Sequence, residues 1–185
     1  GTFRQDDVTF RIVDLPGTYS LACYSPEELY VRKYLRDNEP DVIVNIVDAT
    51  NLERNLYLTT ELINMNRPMV IALNMFDELK QKGISLDYKK LSEMIGVPIV
   101  PTVARTGEGI RQLFDAVIAV AEDRHAVVRH FHVTLGKELE QSVGVLNRAL
   151  KADPDLRPRF SPRYMAIKLL ENDKEVESLV EGTKD

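Results

Sequence analysis

The residues best suited to chemistry stand where short apolar runs end. Asn74-Met75-Phe76-Asp77 follows the run Met69–Leu73. An amide and a carboxylate three residues apart, just past a buried strand, can address one edge of a ligand. A carboxylate that accepts two N–H groups from a planar ring makes a charge-assisted bidentate pair. Guanine offers that edge through N1–H and its 2-amino group, and adenine does not. Taken alone, N-x-x-D also fits a turn and helix cap. Asp14-Leu15-Pro16-Gly17 follows Val8–Val13. Its carboxylate suits a Mg²⁺ held through water, because that ion keeps its waters and takes few carboxylates. Gly17 lets a backbone N–H approach a phosphate closely, although Pro-Gly is also ordinary turn punctuation. Val103-Ala104-Arg105-Thr106-Gly107-Glu108-Gly109 follows Pro98–Val103 and could turn backbone amides toward a base oxygen.

Position in the chain ties these loops together. Val8–Val13, Val42–Val47, Met69–Leu73 and Pro98–Val103 are short and rich in β-branched residues, and read as buried strands. Stretches of helical period lie between and after them: Pro26–Asp37, Leu52–Asn64, Tyr88–Ile95 and Ile110–Ala121. This alternation predicts an α/β fold, a mostly parallel sheet flanked by helices. In such sheets ligands sit beyond the carboxyl ends of the strands, so the loops should converge on one edge. D-x-x-G, N-x-x-D and the A-R-T-G-E-G loop come in that order, each after a predicted strand. Together they favour a guanine-nucleotide site.

Past His132 the pattern becomes wholly helical. Leu135, Leu139, Val143, Leu146 and Leu150 mark an amphipathic helix within Thr134–Leu150. A loop with Pro154, Pro158 and Pro162 follows, then helical patterns at Tyr164–Leu170 and Glu175–Val180. Residues 1–125 carry 14 Lys/Arg against 19 Asp/Glu, and residues 126–185 carry 10 of each. The expected division is therefore 1–125, an α/β unit, and 126–185, a small all-α unit.

Composition excludes several classes. The 185 residues are 44% hydrophobic and 29% charged, values of an ordinary globular chain rather than a disordered one. The net charge of −5 and the absence of a long basic run argue against nucleic acid as a partner. Cys23 is the only cysteine, so neither an internal disulfide nor a cysteine metal cage can form. No apolar stretch reaches the roughly 18 residues that span a bilayer. His125, His130 and His132 read as an exposed linker rather than a metal site. The acidic stretch Glu171, Asp173, Glu175 and Glu177 reads as a solvated helix face. Tyr19, Tyr24, Tyr30 and Tyr34 read as core and switch packing. Self-association into a homo-oligomer is compatible with the sequence.

With those motifs in place the chain resembles a translation-factor-related (TRAFAC) GTPase carrying the third, fourth and fifth G motifs. Asp14–Leu21, Ser25-Pro26-Glu27-Glu28 and the run Asn45–Leu58 (NIVDATNLERNLYL) are similar to the cytosolic G domain of the bacterial ferrous iron transport protein B family. The likeness covers about residues 1–125, and the tail fits that family's helical, GDP-dissociation-inhibitor-like domain. The resemblance implies a P-loop-type, Ras-like fold binding GTP or GDP with Mg²⁺. It implies that Asp77 pairs with the guanine edge, that Asn74 braces the base side with Met75 and Phe76 between them, and that Ala104, flanked by Val103 and Arg105, bonds guanine O6 through its backbone. It implies that Asp14 reaches Mg²⁺ through water, that Leu15 and Pro16 lead to a γ-phosphate-sensing Gly17 N–H, and that Thr18, Tyr19, Ser20 and Leu21 open the second switch, which runs to Ser25. The further partner would be a membrane transport domain of the same polypeptide, which places the chain at the cytoplasmic face of the bacterial inner membrane.

Two departures from the pattern carry expectations. Thr18 stands where many GTPases have a water-orienting Gln, and a threonine is too short for that task, so hydrolysis should be slow. No G-x-x-x-x-G-K-S/T phosphate loop occurs in these residues. The sequence thus reads as a G domain lacking its first strand, phosphate loop and first switch. GTPase activity is expected of the longer protein, and little triphosphate binding of these residues alone. The rival readings are a GTPase of ribosome or tRNA-modification type, which usually carries a basic appendage, and a nucleotide-free interaction module.

Overall fold

The computed structural model describes residues 1–22, 25–128, 134–153 and 160–182. Cys23, Tyr24, His130, His132, Pro154 and Pro158 lie outside the described residues. The chain opens with a hairpin, β1 (Thr2–Gln5) and β2 (Val8–Arg11), whose register pairs Phe3 with Phe10. Its turn is made by Asp6, at φ 51°, and Asp7, a left-handed conformation that aspartate tolerates better than most residues.

The central sheet contains β3 (Ile43–Asp48), β4 (Met69–Asn74) and β5 (Ile99–Pro101), all parallel. Its crossovers are α2 (Leu52–Asn64), entered through a 3₁₀ turn at Ala49–Asn51, and the pair α3 (Phe76–Gln81) and α4 (Tyr88–Ile95). β4 is buried along nearly its whole length because helices cover both faces. On one face Val47, Ile71, Leu73 and Ile99 join Leu62 and Ile63 of α2. On the other, Val70 and Ala72 meet Leu113, Ala116, Val117 and Val120 of α5 (Ile110–Ala121). Beneath α2 the buried Asn45 amide donates to Thr59 Oγ1 at 2.9 Å, which satisfies a polar pair inside the core.

One expected strand belongs elsewhere. Its composition predicts Val8–Val13 as a buried member of the parallel sheet. The structure pairs Val8–Arg11 antiparallel with β1 and leaves Ile12 and Val13 exposed. A two-residue turn gives β2 a partner at once, so it needs no crossover. The hairpin docks on α5 instead: Phe3 and Phe10 stack against Phe114 with ring centroids 4.9 and 4.8 Å apart, and Gln5 donates to Asp115 at 2.6 Å. Among the described residues, no strand pairs with the outer edge of β3. There Val44 and Ile46, in register with the buried Val70 and Ala72, are exposed, Ile46 by 67%.

α1 (Pro26–Asn38) starts at a capping box. Ser25 accepts the Glu28 N–H, and Glu28 accepts the Ser25 N–H in return. The carboxy-terminal helices α6 (Lys137–Ala152), α7 (Pro162–Leu170) and α8 (Lys174–Glu181) follow the periodicity seen in the sequence. Val143, Leu150, Phe160, Tyr164, Met165, Ala166 and Val176 belong to the same buried cluster as Val47 and Ile71. Ser161, the N-cap of α7, donates to the Asn64 carbonyl at the end of α2 at 2.7 Å. The helices are therefore packed on the sheet unit. Among the described residues no helix is long and apolar enough to cross a membrane.

Candidate functional site

The parallel register aligns the carboxyl ends of the strands, pairing Asp48 with Asn74 and Leu73 with Pro101. The loops after β3, β4 and β5 therefore open on one edge, as ligand sites in parallel sheets require. Asn74 ends β4. Met75 turns the chain at φ 58° and caps α3, while Phe76 N–H donates to the Thr102 carbonyl. This places Asp77 in the first turn of α3, with its carboxylate about one quarter exposed. A concavity of about 270 Å³ opens there, lined by Phe76, Asp77, Lys80, Pro101, Thr102, Val103 and Glu108. Phe76 is held edge-on by Tyr88, with ring centroids 5.7 Å apart.

The loop after β5 is shaped by its glycines. Val103 N–H donates to the Glu108 carbonyl, and Thr106 and Gly107 N–H both donate to the Val103 carbonyl. Gly107 and Gly109 both sit at φ 80°, and a Cβ on Gly109 would collide with the Pro101 carbonyl. The compact turn brings Ala104 N–H to Asn74 Oδ1 at 3.0 Å and Arg105 to Asp77 Oδ2 at 3.3 Å. Asn74, Asp77, Ala104 and Arg105 thus form one constellation.

The segment from Asp14 to Leu21 is without helix or strand. Asp14, Pro16, Gly17 and Tyr19 are exposed, and Leu15 packs on the core. Thr18 folds back on its own loop: its hydroxyl donates to the Ser20 carbonyl at 2.6 Å and accepts the Ser20 N–H. Of the tyrosines expected in core and switch packing, Tyr19 and Tyr30 are about half exposed and so lie outside the core. Each finds a partner on the surface. The Arg54 guanidinium lies 3.7 Å from the Tyr19 ring centroid, and Tyr30 stacks with Tyr34.

Leu21 is where this loop becomes fixed. Its side chain is fully buried, and both its backbone groups are held by charged side chains. Its N–H donates to Glu61 Oε2 at 2.6 Å, and its carbonyl accepts from Arg32 at 3.4 Å. Each of those side chains also reaches the carboxy-terminal helices. Glu61 Oε1 pairs with Lys168 Nζ at 2.6 Å. Arg32 makes a bidentate pair with Asp173, at 2.6 and 3.0 Å, and lies 3.3 Å from Glu175. Arg32 is 0% and Lys168 2% exposed. Burial, the largest influence on Lys168, pushes its pKa down, yet the Glu61 and Glu171 carboxylates together hold it above 10.5. Burial likewise pushes Asp173 up, and the Arg32 guanidinium with the Val176 N–H holds it below 3.8. These pairs are buried and hydrogen-bonded, the setting in which a lost partner is costly.

Asp173 and Glu175 of the acidic stretch are therefore turned inward rather than lying on a solvated face, while Glu171 stays half exposed and Glu177 pairs with the exposed Lys174. Asp173 caps α8 and grips Arg32, Glu175 pairs with Arg36 at 2.7 Å, and Glu171 pairs with Lys168. Sequence reading missed Arg32, Glu61 and Lys168. The one available signal was a charge on the apolar side of a helical period, as at Arg32 beside Val31 and Leu35. The described residues include no cluster of three or more metal-ligating side chains. His125 accepts the Val127 N–H, and burial lowers its pKa.

A family model described as ferrous iron transport protein B matches residues 1–117, and one described as the FeoB cytosolic helical domain matches residues 136–185. A Porphyromonas gingivalis Fe(2+) transport protein A/FeoB fusion protein is 49% identical over 97% of this chain and 21% of its own length. The Fe(2+) transporter FeoB of Campylobacter jejuni is 45% identical over 68% of this chain and 21% of its length. The chain thus spans about a fifth of these relatives. Among solved structures, the cytosolic domain of the T. maritima FeoB iron transporter in its GMPPNP form superposes with a TM-score of 0.88. It is 32% identical and covers 100% of this chain and 71% of its own. A GMPPNP-bound S. thermophilus protein, 41% identical over 89% of this chain and 60% of its own, gives 0.78. The sheet flanked by helices and followed by a helical unit is the architecture of those structures, and the chain belongs to the ferrous iron transport protein B family.

Proposed function

We propose that this chain is the larger part of a guanine-nucleotide switch that regulates ferrous iron uptake through a membrane transport domain of the same polypeptide. On this reading it works at the cytoplasmic face of the bacterial inner membrane, with a G unit over 1–125 and a helical unit over 126–185. The observation that carries the reading is the convergence of Asn74, Asp77 and Ala104 beside the concavity, where a planar base can meet a carboxylate and a backbone N–H together. The solved relatives hold guanine nucleotides at the corresponding fold.

The donor set fits a guanine nucleotide with Mg²⁺. Asp77 would accept guanine N1–H and the 2-amino group, and Ala104 N–H would turn to O6. Asp14, an exposed carboxylate, suits outer-sphere contact with Mg²⁺, which would neutralise phosphate charge when bound. The outer edge of β3, unpaired among the described residues, could take a further strand, the place a phosphate loop would follow, and Val44 and Ile46 lie exposed on the sheet face beside it. Thr18, hydrogen-bonded into its own turn, is poorly placed to orient water, which favours slow hydrolysis.

The switch would act through Leu21. A change in the Asp14–Leu21 loop pulls on a backbone whose N–H and carbonyl are tied, through Glu61 and Arg32, to Lys168 and Asp173. The loop and the helical unit then favour or disfavour one another's positions reciprocally. The neutral charge balance of the tail disfavours the ribosome or tRNA-modification alternative. Isothermal titration of the full-length protein with GDP and ADP tests the reading. Selective GDP binding is expected, and equal affinity for the two would overturn it.

A further inference from the structure

The groups that would read a guanine are both engaged within the protein. The Asp77 carboxylate carries the Arg105 guanidinium at 3.3 Å, and the Ala104 N–H is donated to Asn74 Oδ1 at 3.0 Å. A guanidinium is planar and presents adjacent N–H donors to a carboxylate. Guanine presents the same pattern through N1–H and its 2-amino group. Arg105 engages Asp77 through one such donor, Nη2 to Oδ2, and so occupies part of the acceptor edge the base would use.

We propose that Arg105 is an internal competitor for the base site, a latch that holds Asp77 when no nucleotide is bound and must leave when one enters. The inference rests on the guanine reading above. Position supports it, because Arg105 directly follows Ala104 on the same tight turn. When Ala104 N–H leaves Asn74 for a base oxygen, the Arg105 backbone moves with it. The two internal contacts are thus made and broken as a unit. Exposure supports it as well. Arg105 is 81% exposed, so it can swing into solvent without leaving a buried charge behind. A residue built only to brace the loop would be expected to be packed.

The latch sets affinity and exchange rather than the identity of the base. An ion pair with one partner largely in solvent is a modest competitor, so the expected effect is a two- to fivefold change. The experiment measures GDP affinity and dissociation in the full-length protein for wild type, Arg105→Ala and Arg105→Lys, at 50 and 500 mM NaCl, with ADP as the control nucleotide. Arg105→Ala is expected to bind GDP two- to fivefold more tightly than wild type at low salt. The gain should shrink at high salt as screening weakens the latch in wild type. Arg105→Lys should gain less than Arg105→Ala, because it keeps the charge and loses only the planar fork. Unchanged or weaker GDP binding in Arg105→Ala, while wild type still prefers GDP to ADP, would overturn the latch alone. Failure of wild type to prefer GDP would overturn the underlying site reading as well.

Discussion

Replacing Lys168 by methionine probes the joint between the loop and the helices. The ammonium is 2% exposed and the Glu61 side chain 9%, and they meet at 2.6 Å. Methionine keeps most of the stem's volume but leaves the Glu61 carboxylate buried with Leu21 N–H as its remaining donor at this joint. Removing one partner of a buried pair costs about 3–5 kcal/mol. The retained hydrogen bond from Leu21 puts this case near the lower end, about 3 kcal/mol. With a urea dependence of about 2 kcal/mol per molar, the unfolding midpoint should fall by about 1.5 M. Adding Glu61→Gln removes the orphaned charge while an amide oxygen still accepts Leu21 N–H. The double variant should then lose only about 1 kcal/mol, a coupling of at least about 2 kcal/mol. Urea denaturation of the four proteins at pH 7 reads this directly. A loss under about 1 kcal/mol for Lys168→Met, or strictly additive single effects, would refute the reasoning.

Other outcomes follow from single observations. Because the folded pKa of Asp173 lies below 3.8, its stabilisation is complete above that value and is lost as pH falls through the folded pKa. Asp173→Asn should flatten the acid limb of the stability profile. Because the folded pKa of Lys168 lies above 10.5, its contribution is complete below that value and disappears only as alkaline pH passes the folded pKa, so Lys168→Met should flatten the alkaline limb. Gly109→Ala meets the Pro101 carbonyl at φ 80° and should cost about 2–3 kcal/mol. Gly107→Ala, with open space around it, should cost about 1 kcal/mol, and melting temperatures rank the two. Thr18→Ala should leave the single-turnover hydrolysis rate within about threefold of wild type, since its hydroxyl serves the loop; a hundredfold loss would make it a water-positioning group.

The sequence was most legible where burial and periodicity coincide. β4 is buried on both faces, so an unbroken apolar run marks it, and the Gly-rich connector after β5 is visible because Gly109 has room for no side chain. The two residues most readily singled out, Asn74 and Asp77, follow such a run and need no long-range information. Val8–Val13 misled because its composition is that of a buried strand, while its partner is set by the turn at Asp6 and its packing by Phe114, more than a hundred residues away in the chain. The acidic stretch misled for a related reason. Asp173 and Arg32 lie 141 residues apart, and a charge pattern read locally cannot show that its counter-ions are buried on another helix.

The central claim is that the Asp77 carboxylate reads the edge of a guanine. Asp77→Asn tests it, because an amide can donate to the 2-oxo group of xanthine where a carboxylate would be repelled. Titration of the full-length protein with GDP and xanthosine diphosphate should show wild type preferring GDP and Asp77→Asn preferring the xanthine nucleotide, by about tenfold or more in each direction. An Asp77→Asn protein that keeps the wild-type preference for GDP would contradict the account.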